Sequence, residues 1–183
     1  MNKLPQIFEL DRYGLHVRLV REEDAEFIVR LRTDEKLGKY MHTTDSNVDM
    51  QVAWLKEYKK RESDGLDYYF VFESPMNCPI GVMRIYNVTE TTFTIGSWVF
   101  SKDSPKGAAI LADLITKEIG HELFPESSCL WDNMKGNTNV IRFGLSFRPT
   151  LIRETDTHLY FSCSKENFEK HKKVYLRMYN YKN

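Results

Sequence analysis

The sequence predicts an α+β domain, a mixed and mostly antiparallel sheet of seven strands flanked by helices in the order βααβββαβαββ. Three observations carry this reading. Residues 68–73, 80–86 and 93–100 are rich in β-branched and aromatic side chains, and Ser74-Pro75-Met76-Asn77 and Asn87-Val88-Thr89-Glu90 separate them, which is the pattern of an antiparallel meander. Next, Ala108, Leu111, Ala112, Ile115 and Ile119 recur at helical spacing, so a long amphipathic helix follows and packs on that sheet. With 183 residues, 42% of them hydrophobic and 28% charged, the chain is long enough for one real core without disulfides or metal.

The remaining elements follow in order. Leu15-His16-Val17-Arg18-Leu19-Val20 alternates apolar and polar side chains and predicts a half-buried strand over 15–20. Arg21-Glu22-Glu23-Asp24 is an acidic start for a helix carrying Ala25, Ile28, Val29 and Leu31 and ending near Asp34. After the polar connection from Gly38 to Asp45, residues 48–61 place Val52, Leu55 and Tyr58 on one side of a second helix. Beyond the long helix come a strand at 130–134, a short helix at 138–146, strands at 150–153 and 159–163, and a basic helix or tail from Lys165. This divides the chain into an N-terminal extension (1–14), one domain (15–168) and a basic C-terminal helix or tail (169–183), whose mix of basic residues and Tyr reads as a solvated end.

Charge and composition exclude several functions. Lys+Arg and Asp+Glu are both 26, and the pI is near 7.0, so the broad positive field of a nucleic-acid binder is missing. Pro5, Glu9 and Asp11 interrupt any secretion signal, and no apolar run approaches the roughly 18 residues of a membrane span; a cytoplasmic protein without membrane insertion is expected. Cys78, Cys129 and Cys163 are odd in number and show no CxxC, which predicts buried thiols rather than disulfides or a metal site.

Chemistry concentrates in two strand–loop–helix segments. In residues 93–109, Ser101-Lys102-Asp103-Ser104-Pro105-Lys106-Gly107-Ala108-Ala109 leads into the long helix. Free N–H groups at a helix start attract phosphate, Lys106 adds a cation, and the small residues let a pyrophosphate approach. Neither GxxxxGK[ST] nor GxGxxG is present, which argues against ATP and NAD; the plainer reading is a small first turn that packs on a strand. In residues 131–143, Asn137 stands where it would cap the short helix or serve a ligand.

Together the two segments resemble the GNAT superfamily of acyl-CoA-dependent N-acetyltransferases. The family's phosphate-loop motif, Gln/Arg-x-x-Gly-x-Gly/Ala, stands here as Ser104-Pro105-Lys106-Gly107-Ala108-Ala109, and its later Asn-x-x-Ala/Val-Ile motif as Asn137-Thr138-Asn139-Val140-Ile141. Tyr68-Tyr69-Phe70, the segment from Ile80 to Tyr86 and Gly96-Ser97-Trp98-Val99 look most like the branch that acetylates nucleotide-linked amino sugars for bacterial surface polysaccharides. Two departures stand out. Gly144 follows Phe143 where many members carry a Tyr that protonates the departing thiolate, and Arg148-Pro149 replaces the usual Gly-Phe.

The resemblance implies acetyl-CoA as co-substrate, no metal, a small-molecule amine as acceptor and a possible homodimer. It implies that Val99, Phe100 and Ser101 pair with the pantetheine, that Lys106, Gly107, Ala108 and Ala109 hold the pyrophosphate, and that Asn137 touches the pantetheine from the other side. Asp132, on the strand beside the acyl site, is the expected base, against a plain reading as a solvated strand-end carboxylate. Tyr40, His42, Arg84, Tyr86 and Trp98 flank the acceptor side; Arg84 would bind a phosphate and the aromatics would stack on sugar or base. Taken singly, Trp98 and Tyr86 also suit a core, Arg84 a surface ion pair and His42 a loop. His16, His121 and His158 receive no role. The competing functions are acetylation of protein or peptide N-termini, including ribosomal proteins, and non-catalytic acyl-CoA binding.

Overall fold

The computed structural model describes residues 3–41 and 44–181. Its strands are β1 (Glu9–Arg12), β2 (Leu15–Leu19), β3 (Tyr68–Glu73), β4 (Pro79–Tyr86), β5 (Thr92–Phe100), β6 (Ser128–Met134), β7 (Thr150–Glu154) and β8 (His158–Cys163). Its α-helices are α1 (Ala25–Thr33), α2 (Val48–Ser63), α3 (Ala108–Leu123), α4 (Thr138–Leu145) and α5 (Lys165–Met178). All eight strands form one sheet, in the order β1-β2-β3-β4-β5-β6-β8-β7.

The expected α+β order holds, and the sheet has one strand more than the seven expected. The extra strand, β1, lies in the stretch read as an extension and pairs with β2 through a two-residue turn, Arg12 opposite Leu15. Tyr13 and Gly14 both have positive φ, 52° and 70°, which a hairpin turn of this length requires. Glu9-Leu10-Asp11-Arg12 is short and exposed on alternate residues, and Tyr at a positive φ is not a recognisable turn signal, so nothing in its pattern marked it as a strand.

Alternation along β3 splits the interior into two layers. Tyr68, Phe70 and Phe72 point to the side covered by α3 and α5, with Phe93, Ile115, Phe147, Phe168 and Leu176. Tyr69 and Val71 point to the other, with Val20, Ile28, Leu55 and Tyr58 of the α1–α2 side. Buried Arg18 anchors α1 to the sheet by donating two hydrogen bonds of 2.8 Å to Asp24 and one of 2.7 Å to Glu73. Asn47 caps α2, accepting from the backbone N–H groups of Asp49 and Met50.

The C-terminal helix α5 is part of the fold, a correction to its reading as a solvated end. Ser164 caps α5 and its Phe168 and Leu176 are fully buried. Buried Glu118 of α3 accepts from Arg12 (2.9 Å), Tyr13 (2.7 Å) and Lys172 (2.9 Å), so one carboxylate joins the first hairpin, the long helix and the last helix. The basic charge of the tail masked this, because only Phe168 and Leu176 of α5 are buried and Lys residues stand between them. Among the described residues no helix is long and apolar enough to cross a membrane.

Candidate active site

β5 and β6 are the parallel pair of the sheet, and their pairing covers only Thr92–Thr94 against Ser128–Leu130. From Ile95 and Trp131 onward they no longer pair, which leaves strand edges facing a gap. On its other side β5 carries a bulge: Val99 opposes Val82 and Gly96 opposes Arg84, so Ser97 and Trp98 share Met83, with Ser97 at φ 53°. A cleft of about 1070 Å³ opens here, bounded by the two strands, α1, α2, α3, α4 and the connection after α1.

The donor-side motif lies at the start of α3. Gly107 is left-handed, φ 88°, and no side chain caps the helix. The Tyr179 ring lies against Gly107, 2.3 Å from where a β-carbon would be. Lys106 is exposed, with no ion pair among the described residues, and Lys102 pairs with Asp34 at 2.7 Å. Ala108 is buried, and Ala109 is the first residue of the motif to line the cleft. Val99 and Phe100 line it too. Ser101 does not: its N–H donates to Ile80 and its carbonyl accepts from Ser104, which commits it to the turn. Trp98 donates from its indole to the Ala109 carbonyl at 3.0 Å and packs on Phe143. Asn137 begins α4 without capping it, so its side chain is spared the structural task expected of it and lines the cleft.

On the acceptor side, Asp132 is partly exposed in the cleft. His158 reaches it from β8, Nε2 to Oδ2 3.9 Å, while His158 Nδ1 lies 2.8 Å from the Thr157 hydroxyl. Burial, then the Asp132 charge, pushes the Tyr86 phenol up. Arg84 lies between Trp54 and Tyr86, 5.1 and 5.0 Å from the ring centres, and donates to both oxygens of buried Asp67, which Arg61 also meets. Its charge is therefore already answered by a carboxylate, in contrast to its reading as a phosphate ligand. Tyr40 packs over Gly136 at the cleft edge. His42 lies outside the described residues.

Several cleft residues escaped the sequence reading. Arg32 of α1 and Lys36 of the connection after it put cations on the wall, and Trp54 adds an aromatic face. Asp113, Lys117 and Trp131 form the inner end. A signal for the pair existed: Asp113 and Lys117 stand at i, i+4 within the apolar stretch from Ala108 to Lys117 of α3, broken otherwise only by Thr116. Gly144 faces Trp131, whose indole nitrogen is 3.0 Å from the place of a β-carbon, so the space a Tyr would need is filled by that indole.

Residues 15–148 match the acetyltransferase (GNAT) domain family. The chain belongs to the GNAT family. It is an acetyl-CoA-dependent N-acetyltransferase, and a solved structure of FdhC, described as a nucleotide-linked sugar GNAT, is 33% identical to it with a TM-score of 0.83, covering 93% of this chain and 97% of that one. A ribosomal-protein-S5-alanine acetyltransferase from Vibrio fischeri shares the fold at 14% identity and TM-score 0.73, covering 88% and 98%. So does a spermidine N-acetyltransferase from Vibrio cholerae in complex with CoA and spermine, at 13% identity and TM-score 0.70, covering 86% and 99%. No curated protein matches the chain. The GNAT cleft fits its co-substrate: open strand edges suit an amide-bearing pantetheine, and the Gly107 turn before α3 suits a pyrophosphate.

Proposed function

We propose that this GNAT enzyme acetylates the primary amine of a nucleotide-linked amino sugar, in the cytoplasm, as a step toward a surface polysaccharide. The observation that carries the reading is the 33% identity to a nucleotide-linked sugar GNAT over 93% of the chain. The acceptor half of the cleft supports it, since aromatic faces and cations are what a sugar diphosphate and a base require.

In this reading Lys106, Gly107, Ala108 and Ala109 hold the pyrophosphate of the donor at the start of α3. The pantetheine lies in the gap between β5 and β6, against the backbone of Val99 and Phe100 and the side chain of Asn137; Ser101 keeps the turn in shape. Arg32 and Lys36 take the diphosphate of the acceptor. Trp54, Tyr86 and Tyr40 cover sugar and base, and Arg84, fixed by Asp67, is the wall between two of those rings. Asp132, with His158 beside it, receives the proton of the amine as the nitrogen attacks the thioester carbonyl. Backbone N–H groups of the bulged strand stabilise the oxyanion that forms.

The test is acetyl-CoA turnover by the pure protein on amino-sugar nucleotides that differ in the position of the amine, beside a peptide with a free α-amine. Acetylation of a sugar nucleotide and not of the peptide is the expected result. Peptide acetylation alone would replace this reading by N-terminal acetylation, and CoA binding without turnover on either would leave an acyl-CoA-binding protein.

A further inference from the structure

The inner end of the cleft holds an ion pair inside the protein. Lys117 Nζ donates to Asp113 Oδ2 at 2.6 Å, one helical turn away on α3, and the two side chains are only 3% and 4% exposed. Nζ also stands over three rings, 4.9 Å from the centre of Trp131, 5.4 Å from Phe143 and 4.3 Å from Phe147. Both residues line the cleft with Trp131, Phe143 and Gly144. Apolar residues of similar volume would serve a helix interface as well or better, because burying two charges costs about as much as their attraction returns. The Trp131 ring under Nζ is the one that faces Gly144, where the Tyr acid of the resemblance is missing and Trp131 fills the space.

We infer that Lys117 is the proton donor to the departing CoA thiolate. As the C–N bond forms and the C–S bond breaks, the sulfur takes a proton from Nζ, and the proton lost by the amine leaves through Asp132 to solvent. Lys117 regains a proton from solvent and is an ammonium again in the complex with CoA, so the turnover releases one proton per protonated amine consumed. Asp113 positions Nζ and, with the aromatic rings, leaves the sulfur as the acceptor it can reach in the cleft.

The inference rests on acetyl-CoA as donor and is independent of the acceptor. The charged and titratable groups around Nζ are Asp113 on its own helix, His121 one turn on, Cys129 of β6 and Cys163 of β8. Burial pushes both thiols up, away from the range of CoA. In a Cys78→Ser background, which removes the exposed thiol, the ultraviolet absorbance of bound CoA thiolate is followed against pH for the otherwise native protein and for Lys117→Met, after calorimetry has shown CoA bound. An ammonium at the sulfur lowers the thiol midpoint, so the native protein should titrate about one pH unit or more below the variant. In steady state kcat should fall roughly 100-fold or more, with KM for acetyl-CoA unchanged. If Lys117→Met does not fold, Asp113→Asn/Lys117→Met removes both charges together and is measured in its place. Equal midpoints overturn the inference while leaving the donor in place. Failure of CoA to bind overturns both, and a shifted midpoint with no sugar acetylation supports Lys117 and removes only the acceptor reading.

Discussion

Asp132 and His158 stand 3.9 Å apart on adjacent strands, β6 and β8, with the imidazole held at its other nitrogen by Thr157. The pairing of Met134 with His158 and Asp132 with Tyr160 sets this diagonal, so the two groups share the cleft face of the sheet. Asp132→Asn and His158→Gln should each lower kcat by about 10²-fold, the range for loss of one acid–base group, with acetyl-CoA affinity retained. The double variant should be little worse than the poorer single one, because the two serve one proton. Initial rates of CoA release and calorimetry with acetyl-CoA measure this.

Arg84 and Asp67 shape the acceptor wall. Arg84→Lys keeps the charge and loses the two-pronged hydrogen bond and the planar stack between Trp54 and Tyr86. KM for the amine should rise several-fold while KM for acetyl-CoA stays, which steady-state kinetics with each substrate varied in turn would show.

Gly107→Ala should weaken both stability and donor binding. An added methyl meets the Tyr179 ring, and a left-handed backbone costs a residue with a β-carbon about 1–2 kcal/mol. Adding Tyr179→Ala should recover the packing part and not the backbone part, read from thermal melts with and without acetyl-CoA.

His121 makes folding sensitive to mild acid. It is buried between the rings of Phe93 and Phe168, with neither ring nitrogen hydrogen-bonded among the described residues, and burial first, then Lys165, Lys117 and Lys172, push it down to about 4. The unfolded chain, titrating near 6.5, binds more protons between these values, so stability falls as pH drops from about 6.5 through 4, by on the order of 3 kcal/mol. His121→Phe should flatten that slope in urea melts across the same range.

Glu118→Gln should destabilise the protein by about 2–3 kcal/mol, since three donors lose a charged acceptor. Urea denaturation should show a lower midpoint at unchanged slope.

The meander, the long helix and the two loops were legible because each is local. Period-2 runs of Tyr, Phe, Val and Ile and a period-3.6 stripe of Ala, Leu and Ile leave little choice of structure, and Gly107 and Asn137 fall where those elements join. β1 was not legible, because an edge strand with one exposed face needs no apolar pattern of its own. The packing of α5 was obscured by its Lys content, although Phe168 and Leu176, eight residues apart, share one face.

What the sequence by itself determined is the order of elements, the GNAT resemblance and the loop that starts α3, all consequences of residues near one another in the chain. Only the tertiary structure decided which charges meet. It neutralised Arg84 with Asp67, set His158 beside Asp132, brought Tyr179 onto Gly107 and put Trp131 in front of Gly144. Those partners come from different strands and helices, and a charge in a cleft is defined by whatever the fold packs around it rather than by its neighbours in the chain.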